Sequence, residues 1–203
     1  MKRRTQLALK RAFDIVVSSV ALTLLSLLIA LIALAIKLDD GGPVLYVQDR
    51  VGKDGKTFRC YKFRTMMVGA ENKGLGLEVA EDDPRITHVG RFMRRWTLDE
   101  IPQLFNVLKG DMSIVGPRPG LPHQADRYTP QQWRRLEVKP GMAGWAWIHG
   151  RNNPSWAERI ELDVWYVDHW SLHLDLYILL KALLMLFRRE GLYGVDGVVH
   201  DLE

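Results

Sequence analysis

The sequence predicts an α+β fold, mostly helical, with an N-terminal membrane helix ahead of a small domain that carries a β-hairpin and interfacial amphipathic helices. Three observations carry this reading. No charged residue occurs from Ile15 to Ile36, a run of 22; at 1.5 Å rise per residue it reaches about 33 Å, against a hydrocarbon core of roughly 30 Å. From Val44 to Arg64, two strand-forming runs flank Asp54-Gly55, a hairpin-turn pair. Beyond Pro102 the apolar residues Leu104, Phe105, Val107 and Leu108 recur at helical spacing, and Leu172 to Phe187 is almost wholly apolar.

At 203 residues the chain makes one domain, or one domain with an anchor. Its net charge of +4 is modest and its basic residues are scattered, which argues against a nucleic-acid partner. A basic chain with apolar blocks points to anionic lipid or phosphate-bearing substrates. Cys60 is the single cysteine, so no intramolecular disulfide forms and a reducing compartment is the simpler expectation. On a strand, Cys60 reads as a small buried hydrophobe.

Lys2, Arg3, Arg4, Lys10 and Arg11 precede the apolar run. The run is too long for the apolar part of a signal peptide, and Lys37-Leu38-Asp39-Asp40 is no small-residue cleavage site. The basic amino end argues for a cytoplasmic N-terminus. A single crossing then places the rest outside, in conflict with its many Lys and Arg residues and its thiol. A re-entrant helix that enters and leaves one leaflet removes the conflict. Ser18, Ser19, Thr23 and Ser26 are candidate bend positions, because their hydroxyls can satisfy freed backbone groups. The residues alone leave both topologies open. The division expected is 1–40 for the anchor, 41–190 for the main domain and 191–203 for a loose tail.

Gly41-Gly42-Pro43 ends the helix. On the second hairpin strand Lys62 and Arg64 lie two apart and share a face. Such a pair either holds an anion, a diphosphate being one candidate, or decorates a solvated sheet edge. Val68 to Pro84 reads as an exposed loop. Its Gly74-Leu75-Gly76 lacks the third glycine and the strand-to-helix setting of a dinucleotide loop. A helical stretch from Arg85 then brings Arg91, Arg94 and Arg95 just ahead of the adjacent carboxylates Asp99 and Glu100.

Thr97 to Glu100 matches a capping box. Pro102 suits a first helical turn and Gly110 a helix stop. The carboxylates are therefore expected near a helix N-terminus, where N–H groups and the dipole favour anions. Neighbours on a helix point about 100° apart, so two separate jobs suit them better than one shared proton. One carboxylate attacks phosphorus; the other holds a hard cation such as Mg²⁺ that neutralises phosphate oxygens.

Four stretches now carry a resemblance: YKFRTM from Tyr61, DPRITHVGRFMRRWTLDEIPQLFNVLKGDMSIVGPRP from Asp83, KPGMAGWAWIHGRN from Lys139, and DVWYVDHWSLHLDLYIL from Asp163. The chain resembles the bacterial sugar transferase family, the monotopic polyprenyl-phosphate phosphoglycosyl transferases, along nearly its whole length. The resemblance implies transfer of a sugar-1-phosphate from a UDP-sugar to a membrane polyprenyl phosphate such as undecaprenyl phosphate, with release of UMP. It makes Asp99 the nucleophile of a covalent phosphosugar–aspartyl intermediate and gives Glu100 the Mg²⁺. Arg94 matches the family arginine five residues before the nucleophile, and Arg118 that of the Pro-Arg-Pro turn. It also raises Arg151 as a diphosphate contact, and matches Asp163 and Asp175 to family acidic positions that helix surface charge or a structural ion pair explains equally well. The implied location is the bacterial cytoplasmic membrane, with the site on its cytoplasmic face and a re-entrant helix. One departure bears on that helix: where the family breaks it at Ser-Pro, this chain reads Ser26-Leu27. The oligomeric state stays open, a homodimer included, as do the sugar and the polyprenol length.

In the remaining chain, Trp145 and Trp147 suit a membrane interface, a nucleobase stack or plain core packing. Leu172 to Phe187 is short for a span and reads as a buried or interfacial helix, with His173, Tyr177 and Lys181 as its polar stripe. The six histidines show no metal-ligand spacing. Two rivals remain: a non-catalytic membrane scaffold whose carboxylates merely cap a helix, and an enzyme that uses Asp99 as the base of a single-step transfer.

Overall fold

The computed structural model describes residues 3–74, 76, 78–80, 82–150, 154–188 and 198–199, the side chains of 186–188, 198 and 199 excepted. The N-terminal segment forms α1 (Arg3–Leu24) and α2 (Ser26–Asp40), bent by 61° across Leu25. No single helix among the described residues is long and apolar enough to cross a membrane, whereas the bent pair together passes that test. The break falls beside Ser26, without a proline. α2 stops at Gly41, whose φ of 74° is left-handed.

The hairpin follows as β1 (Leu45–Val51) and β2 (Thr57–Phe63), with Tyr46 opposite Lys62 and Gln48 opposite Cys60. Its turn places Asp54 and Gly55 at φ of 58° and 75°, the left-handed geometry that Asp-Gly favours. Then come β3 (Val79–Ala80), α3 (His88–Trp96), α4 (Gln103–Lys109), β4 (Ser113–Val115), the short α5 (Pro122–Ala125) and α6 (Pro130–Trp133), β5 (Gly141–Ala143), α7 (Trp145–Ile148), α8 (Trp156–His169), α9 (Leu172–Arg188) and β6 (Val198–Val199). Among the described residues the strands form three two-stranded sheets: antiparallel β1–β2 and β3–β6, and parallel β4–β5. The α+β, mostly helical expectation holds. The tail, read as loose, supplies in β6 a partner for β3; its other residues lie outside those described.

The two ends of the N-terminal helix pair pack into the core of the rest of the chain. Asp14 of α1 is buried and accepts from Ser113 Oγ at 3.0 Å and the Ile114 N–H at 2.9 Å. Lys10 reaches the Val115 carbonyl at 2.8 Å and Asp175 at 2.6 Å, and Arg11 donates to the Val107 and Leu108 carbonyls. At the far end, Ile32 and Ile36 of α2 join Phe58, Cys60, Phe63, Met93, Val107, Met112, Tyr166 and Ile178 in the main core. Between these footholds, Val20, Leu24, Leu27, Leu31 and Leu34 stay exposed around the bend. A second cluster packs Val51, Tyr128, Leu136, Ile160 and Val164.

α9 exposes Leu176, Tyr177, Leu180, Leu183 and Leu184 and buries Ile178 and Ala182. That one-sided apolar exposure is not the pattern of a fully buried helix.

Candidate active site

Asp99 and Glu100 lie on a 3₁₀ turn, Leu98–Glu100, between α3 and α4. The capping box does not form. Thr97 closes α3 with a left-handed backbone, φ 56°, and its side chain makes no cap hydrogen bond. An N-cap needs an extended backbone to fold its oxygen over the helix start, and Thr97 has the opposite geometry. A left-handed conformation is uncommon for a β-branched residue, so the chain spends strain to turn sharply just before Asp99. α4 begins only at Gln103 and ends at Gly110, φ 98°. With seven residues beginning beyond the carboxylates, it is not what holds their charge. Nearby side chains do that.

Glu100 Oε1 accepts from Lys62 Nζ at 3.0 Å and from Arg118 Nη1 at 3.2 Å. Burial pushes the Glu100 carboxyl up, but Lys62 and Arg118 outweigh it and bring its pKa down to about 2. Asp99 differs. Burial raises its carboxyl above the ordinary value; Lys62 and Arg94 draw it down, and neighbouring Glu100 adds to the rise. Among the described residues Asp99 has no ion pair, while Glu100 has two. Two adjacent carboxylates thus meet different environments.

Both face one cavity of about 340 Å³, within the range of small-molecule sites. Lys62, Arg64, Arg94 and Arg118 line it, with Tyr46 and Trp147. Arg94 is held there by Nε donation to Thr65 Oγ1 at 2.9 Å. Gly90 makes this approach feasible, since a Cβ at that position would lie 2.0 Å from the Thr65 carbonyl oxygen.

Lys62 and Arg64 are held by different carboxylates, Glu100 and Asp40, and Arg64 does not lie on a solvated edge. Arg64 is buried, pairs with both oxygens of Asp40 and donates to the Pro43 and Met66 carbonyls. It ties the end of α2 to β2, and its guanidinium is committed there. Arg151 lies outside the described residues. Asp163 and Asp175 are buried structural partners, of Arg135 at 2.5 Å and of Lys10, Tyr166 and Trp170 respectively, and neither is a surface charge. Trp145 stacks on Trp165 at 4.5 Å between ring centroids, whereas Trp147 lines the cavity.

The segment read as an exposed loop supplies a wall of the cavity through Val68, Gly69, Ala70, Glu71, Gly76 and Val79. Its organiser is Arg85, which donates to the carbonyls of Ala70, Lys73, Gly76 and Glu78 and is clamped by Asp83. Tyr46 Oη to Glu71 at 3.0 Å ties this wall to the hairpin. Arg85 was visible in the sequence only as the start of a helical stretch. Its short-range signal is the Asp83-Pro84-Arg85 spacing, which lets the Asp83 carboxylate reach the Arg85 N–H at 2.9 Å.

The family described as bacterial sugar transferase matches residues 5–189. The chain is 46% identical over 190 residues to an uncharacterized sugar transferase, EpsL, of Bacillus subtilis, covering 94% of this chain and 93% of that protein. It is 44% identical to the undecaprenyl-phosphate galactose phosphotransferase of Salmonella typhimurium, across 95% of this chain and 43% of that one. With the UDP-glucose:undecaprenyl-phosphate glucose-1-phosphate transferase of Escherichia coli the identity is 41%, across 91% and 41%. The chain thus spans less than half the length of the latter two. The carboxylate pair, the basic cavity around it and a match along nearly the whole chain agree: this protein belongs to the bacterial sugar transferase family.

Proposed function

We propose that the protein transfers a sugar-1-phosphate from a UDP-sugar to a membrane polyprenyl phosphate, by a two-step reaction through Asp99. The observation that carries this reading is the unequal pair: Glu100 is fixed by two cations, and Asp99 faces the same cavity without an ion pair among the described residues. In the first step an Asp99 carboxylate oxygen attacks the sugar-bearing phosphorus. The bond from that phosphorus to the bridging oxygen breaks, and UMP leaves with the electron pair. In the second step a phosphate oxygen of the polyprenyl phosphate attacks the same phosphorus. Asp99 is released as a carboxylate, and the product is a polyprenyl-diphospho-sugar. Lys62, Arg94 and Arg118 oppose the negative charge that gathers on the phosphoryl oxygens.

The residues fit Mg²⁺ held mainly by Glu100. No cluster of three or more Asp, Glu, His or Cys converges among the described residues, but Mg²⁺ needs only one or two carboxylates beside substrate phosphates and water. Both described bonds to Glu100 fall on Oε1. When bound, the ion would supply charge neutralisation at the diphosphate.

The anchor is read as re-entrant. Lys10, Arg11 and Asp14 fasten one end of the bent pair to the domain; Asp39, by the Val89 N–H at 3.1 Å, and Asp40, by Arg64, fasten the other. A segment whose two ends grip one body enters and leaves on one side. UDP-sugar supply places that side in the cytoplasm, and the lipid acceptor is met at the same surface.

Purified protein in detergent, given Mg²⁺ and each of a panel of UDP-sugars without acceptor, should release about one UMP per site and carry a phosphosugar on Asp99 by mass spectrometry. Turnover without that adduct under single-turnover conditions overturns the two-step scheme in favour of direct transfer; no UMP from any donor favours the scaffold. In a Cys60→Ser background, single cysteines near residues 2 and 203 should label from the same side in intact cells. Opposite-side labelling defeats the re-entrant anchor.

A further inference from the structure

The side chain of Arg118 bridges to Glu100 while remaining partly solvent-exposed, at 40%. A long exposed arginine holds one geometry poorly unless its backbone is fixed. Here the backbone is fixed to an unusual degree. Four successive carbonyls of the turn each have a donor: Pro117 from the Gly141 N–H at 2.8 Å, Arg118 from Arg135 Nη2 at 2.8 Å, Pro119 from Arg50 Nη1 at 3.1 Å, and Gly120 from the Val51 N–H at 2.9 Å. Pro117 and Pro119 lock φ on both sides of Arg118 and remove two N–H donors from the turn. The turn therefore cannot pair as a strand through its middle, and buried guanidinium groups take that place.

Arg135 is built for this position. It is 3% exposed, lies 5.6 Å and 5.3 Å from the Tyr128 and Trp156 ring centres, and donates to Tyr128 Oη at 2.6 Å and Asp163 at 2.5 Å. Asp163 balances its charge, so a cation can stand behind the turn at modest cost. Arg50 is 7% exposed.

We propose that Arg135, seconded by Arg50, is a positioning residue for the transfer reaction: by holding the Arg118 and Pro119 carbonyls respectively, the two keep the Arg118 guanidinium on Glu100 at the cavity. This deepens the transferase reading and rests on it.

The test is a double-mutant cycle. Arg135→Gln is combined with Asp163→Asn, so that no lone charge is left buried, and the pair is introduced with and without Arg118→Gln. Steady-state transfer should fall about tenfold in the unsubstituted background and less than twofold once Arg118 is gone. The burst of UMP without acceptor, which counts competent sites, should keep its amplitude and slow in rate. Arg50→Met, which removes the Pro119 donor, should give the same pattern at smaller size and guards against misfolding of the first variant. Equal fold losses in both backgrounds overturn the proposal, as does a loss of burst amplitude at unchanged rate, since either marks a merely structural role. If the unsubstituted enzyme turns over without a burst, the covalent reading fails and the steady-state cycle alone decides this one.

Discussion

Two carboxylate–cation clusters lie on either side of the Pro117–Pro119 turn, and they are built on opposite rules. Behind it, Asp163 meets Arg135 inside a packed shell, each with 2% side-chain exposure, charge against charge between aromatic rings. Burial disfavours the charge on Arg135, yet Asp163 and Tyr128 more than offset it and hold its pKa above the ordinary value. In front, Glu100 has Lys62 and Arg118, and Asp99 has the field of Lys62 and Arg94. That cluster opens on a cavity and keeps one carboxylate unpaired among the described residues. The contrast teaches that a balanced, closed pair supports, whereas an unbalanced, open one is poised for an anionic substrate.

Removing one carboxylate from each cluster should break the comparison in opposite directions. Asp99→Asn should cost at least about 10³-fold in UMP release, about 4 kcal/mol of transition-state stabilisation. It should leave the thermal midpoint unchanged or raised, because burial already favours the neutral form there. Asp163→Ala should do the reverse: lose about 3–5 kcal/mol of stability by stranding Arg135, readable in denaturant melts, while the surviving folded fraction retains its burst. A fall in midpoint for Asp99→Asn as large as that for Asp163→Ala would erase the distinction.

The next effect concerns the wall. Arg85→Met frees the carbonyls of Ala70, Lys73, Gly76 and Glu78 at once, without touching either carboxylate. Loosened walls weaken ground-state binding before they weaken chemistry. KM for the UDP-sugar should rise about tenfold with kcat within about threefold. A kcat loss at unchanged KM would place Arg85 with the reacting groups instead.

How much of this was legible follows the range of the interactions. The hairpin, the Gly41 and Gly110 stops and the carboxylate pair are encoded by neighbours in sequence, and the resemblance named the arginines Arg94 and Arg118 in advance. The Thr97–Glu100 pattern does not settle the turn, because it is the same whether the backbone at Thr97 is extended or left-handed; Arg94 and Met93, whose carbonyls take the Thr97 N–H, decide the matter. Arg64 and Arg135 were illegible for another reason. Their partners lie 24 and 28 residues away, so no spacing distinguishes a cation meant for substrate from one already committed. The anchor's packing is illegible for the same reason: Lys10, Arg11 and Asp14 look like a solvated flank until the chain folds back on them.

Lys62 gives the finest test, because its charge acts on both carboxylates of the open cluster. It donates to Glu100, and its charge is the largest single influence favouring ionised Asp99. A nucleophilic carboxylate must be ionised, so activity falls as pH drops through its pKa. Lys62→Met removes the attraction that lowers that pKa and leaves the burial that raises it. The acid limb of the pH profile for single-turnover UMP release should therefore move to higher pH, with activity recovered on the alkaline side. The same substitution at Lys109, an exposed lysine paired with Asp111 at 3.0 Å, should leave the limb in place. If Lys62→Met lowers the rate uniformly at every pH, Lys62 acts on substrate alone. In that case the electrostatic coupling that separates the open cluster from the closed one does not control the nucleophile.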